Sequence, residues 1–284
     1  MTLQINKVGI AGAGTMGAGI AQVFAQAHLE VILFDVNVPQ LDKAKSAIQK
    51  SLDYAVSKNK ISATDKDHAL SKITFSPDIN SLKADLIIEA IVEKLEVKQQ
   101  LFQTLAPINS PQTILATNTS SISITKIAKD IPNPQRILGM HFFNPAHLMK
   151  LVEIISGAET SLETLSIIKE LAARIGKVGV VCNDSPGFIV NRVARHYYVE
   201  SLRLLEEGVA TIENIDALME SAGFKMGPFK LMDVIGNDIN FAVTSSLYES
   251  FYQDPKFRPS RIQQQKLDAG HLGKKSGKGF YDYS

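Results

Sequence analysis

Up to about residue 183, short apolar runs alternate along the chain with longer segments in which apolar residues recur every three or four positions. The short runs predict strands at Lys7–Ala11, Val31–Phe34, Ile73–Phe75, Leu86–Glu89, Ile114–Thr117, Ile137–His141, Leu151–Ile155 and Val178–Val181. Several are apolar throughout, which is typical of strands covered on both faces. The longer segments predict helices at Met16–Ala27, Val38–Ser57, Leu95–Leu105 and Leu162–Ile175. The alternation predicts a Rossmann-type α/β fold, with a doubly wound, mostly parallel sheet.

The pattern changes at residues 183–187, where Asn, Asp, Ser, Pro and Gly follow one another in a turn-rich cluster. Strand-like runs are scarce beyond it. Helices are predicted at Phe188–Glu207, Ile212–Ala222 and Asp238–Tyr252. We therefore predict two domains, residues 1–184 with the sheet and residues 185–284 as a smaller all-α domain.

Composition narrows the class of protein. The hydrophobic content of 45% and charged content of 21% are ordinary for a globular fold, and the net charge of +1 predicts no general attraction to nucleic acid or membranes. The single cysteine, Cys182, excludes an intramolecular disulfide. No apolar run approaches the roughly 20 residues of a membrane span, and the first residues lack a signal-peptide pattern. A cytoplasmic enzyme without a metal site is the expectation.

A glycine-rich motif follows the first predicted strand and opens the first predicted helix. Gly12 permits a tight turn, Gly14 lets the backbone approach a pyrophosphate, and Gly17 permits close packing of helix on strand. Thr15 and Met16 begin the helix, whose unpaired N–H groups and positive dipole end suit a phosphate. The motif predicts a dinucleotide site.

Asp35 directly follows the second predicted strand, at the position where such sites carry an acid. Its carboxylate can accept hydrogen bonds from the ribose hydroxyls and would repel a 2′-phosphate. No arginine follows closely, so NAD is favoured over NADP. The alternative is a glycine-rich turn with an incidental aspartate.

With these motifs and others further along the chain, the sequence resembles the 3-hydroxyacyl-CoA dehydrogenase family. The resemblance is closest to members that act on short 3-hydroxybutyryl thioesters. The matching segments are Gly12–Gln22, Glu89–Lys98, Asn118–Ser121, His141–Pro145, Leu151–Ile155, Pro186–Arg192, Met226–Phe229 and Lys274–Tyr281. They run in the family's order across nearly the whole chain. The resemblance implies reversible, NAD-dependent oxidation of an (S)-3-hydroxyacyl-CoA to the 3-oxoacyl-CoA, in fatty acid or butyrate metabolism.

The resemblance makes His141 the general base, placed at the end of a predicted strand where doubly wound folds carry active groups. Glu153 lies in the next predicted strand among apolar residues. A buried glutamate needs a partner, and an adjacent strand would bring it beside His141 to orient the imidazole. The alternative for Glu153 is an edge-strand residue facing water.

Ser120 and Asn191 are implied to hydrogen-bond the reacting oxygen of the substrate, and Ser120 also faces the nicotinamide. Ser120 has an alternative role as the N-cap of a short helix over Ser123–Ala128. Asn191 lies in an apolar stretch of the first helix of the second domain, where an amide needs a partner. Asn144 is implied to contact the cofactor or the substrate carbonyl, although Asn-Pro is also an ordinary turn.

Three further residues match positions near the cofactor. Glu93 and Lys98 match residues that touch the nicotinamide ribose, the alternative being a solvated ion pair near a helix start. Lys275 matches a cofactor-proximal lysine and implies that the C-terminal tail folds back on the first domain.

Two further features of the sequence bear on coenzyme A recognition and on oligomeric assembly. A lysine-rich segment is a candidate for the coenzyme A phosphates, with Lys50 as its representative, although a charged helix face is more often simply solvated. Its members are Lys43, Lys45, Lys50, Lys58 and Lys60. The apolar helix faces of the second domain predict a homodimer.

Two rival functions remain. One is another two-domain hydroxyacid dehydrogenase, for which a catalytic lysine is expected in the helical domain. The other is a non-catalytic NAD-binding protein on the same scaffold. The His141–Glu153 pair disfavours the first, and the intact acid–base groups disfavour the second.

Overall fold

The computed structural model of the chain describes residues 3–283. Its strands are β1 (Lys7–Ala11), β2 (Glu30–Phe34), β3 (Ile73–Ser76), β4 (Leu86–Glu89), β5 (Ile114–Thr117), β6 (Ile137–Phe142), β7 (Leu151–Ser156) and β8 (Val178–Asn183). They form one sheet in the order β3-β2-β1-β4-β5-β6-β7-β8, in which only the β6–β7 pairing is antiparallel. The predicted doubly wound, mostly parallel sheet is confirmed.

Helices cover both faces of this sheet. They are α1 (Thr15–Gln26), α2 (Val38–Ser57), α3 (Ala63–Ser71), α4 (Leu95–Ile108), α5 (Ile124–Ala128) and α6 (Leu162–Arg174). One core joins α1, α2 and α6 to the sheet, through residues such as Phe24 and Ile168. The other joins α4 and α5 to the opposite face, through residues such as Phe102 and Ile127. Burial on both faces explains why the central strands are apolar throughout.

The chain divides into two compact units between Ser185 and Pro186. The second unit is helical and contains α7 (Val190–Glu206), α8 (Ile212–Ser221), α9 (Pro228–Ile235), α10 (Asn237–Ser250) and α11 (Arg261–Asp268). Its core gathers Tyr198, Leu202, Phe229 and Met232 with Phe280 of the C-terminal tail. No helix between residues 3 and 283 is both long enough and apolar enough to cross a bilayer.

Some boundaries differ from the sequence-based expectation. The first helix of the second unit begins at Val190 rather than Phe188, because Gly187 and Phe188 adopt left-handed backbone with φ of 72° and 50°. Helix α3 was not predicted, although Ser62 and Asp65 form a capping box that marks its start. Strand β8 is partly exposed because it lies at the edge of the sheet.

Candidate active site

His141 and Glu153 face each other across the antiparallel pair β6–β7. The strand register sets the two residues directly opposite, which places their side chains on the same face of the sheet. Nδ1 of His141 lies 2.8 Å from Oε2 of Glu153, and the side chains are 8% and 1% exposed. The alternative of a water-facing Glu153 is therefore wrong. The carboxylate orients the imidazole and can stabilise its charged form.

The loop after β5 carries Ser120 and begins with Asn118. Oδ1 of Asn118 accepts a hydrogen bond from the backbone N–H of Phe142 at 2.8 Å, which ties this loop to the residue after His141. Helix α5 begins at Ile124 and is capped by Ser123, so Ser120 is not its N-cap.

Glu93 gathers the same loop. Its Oε1 accepts hydrogen bonds from Oγ1 of Thr119 at 2.6 Å, from the backbone N–H of Ser120 at 2.9 Å and from that of Ser121 at 3.2 Å. Burial opposes the charge on Glu93, but the Lys98 ammonium and these donors outweigh it and hold the pKa of Glu93 below its usual value. Glu93 is thus an ionised clamp on the Ser120 loop.

Lys98 is buried at 1% exposure, so the alternative of a solvated Glu93–Lys98 pair is wrong for the lysine. Its Nζ lies 3.1 Å from Oε2 of Glu93 and 2.6 Å from Oε1 of Glu89. A desolvated ammonium requires such compensation. Glu89 ends β4, and its Oε2 also accepts a hydrogen bond from Oγ1 of Thr117, at the end of β5, at 2.6 Å.

The glycine loop has the geometry that its sequence predicts. Gly12 has a φ of +103°, and a Cβ there would lie 2.6 Å from the carbonyl oxygen of Ala90. A Cβ on Gly17 would lie 1.8 Å from the carbonyl oxygen of Gly12, so only glycine permits this close approach of helix to loop. A Cβ on Gly14 would meet nothing within 4 Å, which leaves room in front of this backbone. Gly14 is the N-cap of α1 and has no side chain to occupy the N–H groups of Thr15 and Met16.

Asp35 is tied to this loop through one carboxylate oxygen. Oδ2 accepts a hydrogen bond from the backbone N–H of Ala13 at 2.8 Å, and Oδ1 accepts one from that of Asn37 at 2.9 Å. Gln40 reinforces the arrangement, since its Nε2 donates to the carbonyl of Ala13 at 2.8 Å. A carboxylate has about four acceptor positions, so two remain for hydroxyl groups of a ligand.

A cavity of about 680 Å³ opens beside Asp35 and the glycine loop. It is lined by Gly12, Gly14, Phe34, Asp35, Val36, Gln40, Ile79, Ala90, Ile91, Val92, Val97, Gln100, Leu101 and Thr104, which include no Lys or Arg. A mostly apolar slot with one carboxylate and helix N–H groups at its rim fits an adenosine, its ribose and a pyrophosphate. Within residues 3–283, no group of three or more His, Cys, Asp or Glu side chains is arranged to hold a metal ion.

The structure brings His141, Glu153, Ser120, Glu93 and Lys98 to the edge of the sheet where the parallel strands end. Asn144 follows β6 in an exposed turn and precedes Pro145 through a cis peptide bond.

The remaining predicted residues belong to other elements of the chain. Asn191 lies in the first turn of α7 and Lys275 in the C-terminal tail, both in the second unit. Lys275 forms an ion pair of 2.6 Å with Asp238 of the same unit. The lysines of α2 and its C-terminal turn, Lys50 among them, are exposed.

Sequence reasoning assigned no role to Glu89, Asn118 or Gln40, although each holds part of this site. A signal existed for Glu89, because an acid at the last position of a buried, otherwise apolar strand needs a partner. The roles of Asn118 and Gln40 depend on backbone atoms of distant residues, which no local pattern reveals.

Comparisons with known proteins cover nearly the whole chain. The family model for the 3-hydroxyacyl-CoA dehydrogenase NAD binding domain matches residues 7–185. The model for the 3-hydroxyacyl-CoA dehydrogenase C-terminal domain matches residues 187–283.

Individual relatives support the same family assignment. A 3-hydroxyadipyl-CoA dehydrogenase of Escherichia coli K12 is 50% identical over 285 residues, which cover 100% of this chain and 60% of that protein. A 3-hydroxybutyryl-CoA dehydrogenase of Mycobacterium tuberculosis is 39% identical over 287 residues and is covered completely, as is this chain. The crystal structure of (S)-3-hydroxybutyryl-CoA dehydrogenase from Ralstonia eutropha superposes with a TM-score of 0.96 at 40% identity, covering 99% of this chain and 100% of that one.

Proposed function

This chain belongs to the 3-hydroxyacyl-CoA dehydrogenase family, and we propose that it catalyses the reversible, NAD-dependent oxidation of (S)-3-hydroxyacyl-CoA to 3-oxoacyl-CoA. The observation that carries the proposal is the buried His141–Glu153 pair, which lies at the same edge of the sheet as the glycine loop. A base oriented by a carboxylate beside a dinucleotide site is what oxidation of a secondary alcohol requires.

His141 removes the proton of the 3-hydroxyl group. Glu153 engages Nδ1, so Nε2 is the nitrogen that exchanges the proton with the substrate, and the carboxylate stabilises the imidazolium that forms. A bound NAD would supply the acceptor for the hydride of C3. In the opposite direction the imidazolium returns its proton to the 3-oxo oxygen.

Ser120 and Asn191 are proposed to hydrogen-bond the reacting oxygen and so to orient the substrate. For Ser120 the support is its position in the clamped loop after β5. The assignments of Asn191, Asn144 and Lys275 rest on the family resemblance alone.

NAD is the proposed cofactor rather than NADP. Asp35 presents a carboxylate at the cavity where the adenosine ribose fits, and no cationic side chain lines that cavity to receive a 2′-phosphate. Gly12, Gly14 and Gly17, with Thr15 and Met16, hold the pyrophosphate, while Glu93 and Lys98 lie toward the nicotinamide ribose.

The named relatives point to two acyl groups for the substrate. A short 3-hydroxybutyryl thioester is the proposed substrate, in keeping with the Mycobacterium and Ralstonia relatives. The Escherichia coli relative at 50% identity carries the name of a thioester that ends in a carboxylate, but this chain spans only 60% of it. Both acyl groups therefore belong in a substrate panel.

Assembly, location and coenzyme A contacts are also proposals. Exposed apolar residues on the second unit, including Val193, Leu218 and Ile239, support a homodimer through that unit. A concentration-independent monomer mass in analytical ultracentrifugation would reject it. A cytoplasmic location of the protein and a phosphate-binding role for Lys50 are further predictions.

The test measures the decrease in NADH absorbance when acetoacetyl-CoA, 3-oxoadipyl-CoA or free 3-oxo acids are offered as substrates. We expect oxidation of NADH with a thioester and not with a free acid. His141→Gln should lower turnover by roughly 10²–10⁴-fold and leave NADH affinity unchanged. His68→Gln, which makes the same change at an exposed histidine of α3, should have no effect.

Each rival predicts a different result. Turnover of free acids alone would indicate the other class of hydroxyacid dehydrogenase. NADH binding without any turnover would indicate a non-catalytic protein. Turnover of His141→Gln within a few-fold of the wild type would remove His141 as the base.

A further inference from the structure

Glu89 carries a carboxylate that is 0% exposed to solvent at the end of β4. Its Oε1 accepts hydrogen bonds from Nζ of Lys98 at 2.6 Å and from the backbone N–H of Ile91 at 2.8 Å. Its Oε2 accepts one from Oγ1 of Thr117 at 2.6 Å. Donors therefore converge on both oxygens of Glu89, and one of these donors is an ammonium.

The position of the Lys98 ammonium depends on Glu89. Lys98 has a long, flexible side chain, and its Nζ lies 2.6 Å from Oε1 of Glu89 and 3.1 Å from Oε2 of Glu93. Glu89 is the nearer and the fully buried partner, and a neighbouring strand residue, Thr117, holds it from the other side. It therefore serves as the fixed end of the network.

Glu93 transmits this position to the catalytic loop. The two carboxylate oxygens of Glu93 have different partners. Oε2 faces Lys98, and Oε1 accepts the hydrogen bonds of Thr119, Ser120 and Ser121. A shift of the ammonium would turn the Glu93 carboxylate and move the backbone of the loop.

We propose that Glu89 is a positioning residue for the dehydrogenase reaction, and this rests on the function proposed above. By holding Lys98 it orients Glu93, and through Glu93 it sets the place of Ser120 relative to His141. Its own oxygens are occupied inside the protein, so it acts only through these neighbours. A displacement of about 1 Å in such a loop is enough to cost roughly 10²-fold in rate.

The first experiment compares Glu89→Gln with a matched control. Glutamine keeps the shape and the acceptor for Ile91 but removes the charge that fixes the ammonium. We expect kcat/KM for acetoacetyl-CoA to fall by roughly 10- to 100-fold. Glu96→Gln removes the same charge from an exposed site in the first turn of α4 and should stay within about two-fold of the wild type.

A double-mutant cycle with Ser120→Ala separates positioning from general damage. If Glu89 acts through the Ser120 loop, Glu89→Gln should cost much less in the Ser120→Ala background than in the wild type. Equal fold-losses in the two backgrounds would overturn the proposal, as would a Glu89→Gln enzyme with wild-type kcat/KM.

A second variant covers the case in which Glu89→Gln does not fold. Glu89→Asp keeps the charge and draws the carboxylate back by one methylene group, away from Nζ of Lys98 and Oγ1 of Thr117. A smaller loss of kcat/KM that again shrinks in the Ser120→Ala background supports the proposal, and an unchanged kcat/KM overturns it. A wild-type enzyme that fails to reduce acetoacetyl-CoA would instead overturn the proposed function itself, so the two failures are distinguishable.

Discussion

His141 and Glu153 occupy directly opposed positions in the antiparallel pairing of β6 with β7, and their side chains meet with an Nδ1–Oε2 distance of 2.8 Å. Every other pairing in the sheet is parallel. The one antiparallel pairing therefore sets a buried carboxylate beside the histidine. Both residues lie on strands rather than on loops.

Glu153→Gln should lower turnover by on the order of 10²–10⁴-fold, because the amide keeps the acceptor but loses the charge that stabilises the imidazolium. The double variant with His141→Gln should be no slower than His141→Gln alone, since residues that act as a unit are non-additive. Steady-state kinetics of the two single variants and the double variant test this. Multiplying losses would contradict a shared role.

Asp35→Ala should weaken NADH binding by roughly 10- to 100-fold, because a hydrogen bond to a charged group contributes about 1.5–3 kcal/mol. The preference for NADH over NADPH should narrow, since the carboxylate that would repel a 2′-phosphate is lost. Fluorescence titration with both cofactors measures this, with Asp67→Ala on exposed α3 as the control. An unchanged preference would refute the ribose assignment.

The pKa of Glu93 lies below its usual value of 4.5, so its ionised form stabilises the fold above about pH 4.5. That contribution is lost as the pH falls through the lower folded-state pKa. The melting temperature of the wild type should therefore exceed that of Glu93→Gln at pH 7, and the difference should shrink at pH 3.5. Differential scanning calorimetry at the two pH values measures it, and a constant difference would argue against the ionic clamp.

Asp233→Asn should destabilise the second unit by about 1–3 kcal/mol. The buried carboxylate accepts hydrogen bonds from the backbone N–H groups of Phe280 and Tyr281 and from the hydroxyl of Tyr283, and it thereby anchors the C-terminal tail. A Cβ on Gly279 would lie 2.0 Å from Oδ1 of Asp233. Only a glycine at this position therefore lets the tail approach Asp233 so closely.

Urea denaturation measures this loss, with Asp268→Asn at an exposed end of α11 as the control. An unchanged midpoint for Asp233→Asn would show that the tail is held by other contacts.

Local patterns predicted most of the fold. The eight strands and the glycine loop were legible because burial on both faces and a strand–glycine–helix transition leave marks on neighbouring residues. Helix α3 was missed because its sequence, with a single buried residue, Ala69, has little apolar periodicity. The start of helix α7 was misplaced by two residues because the left-handed backbone of Phe188 has no sequence signal at a non-glycine position.

The sequence by itself determined the class of fold and the dinucleotide motif, since each of these is written in residues close together along the chain. Only the tertiary structure decided which groups touch. The burial of Lys98 between Glu89 and Glu93, the hydrogen bond of Asn118 to the strand of His141, and the register that opposes Glu153 to His141 all join residues from different strands or helices. Such pairings depend on how the sheet orders and orients its strands, and no local pattern specifies that order.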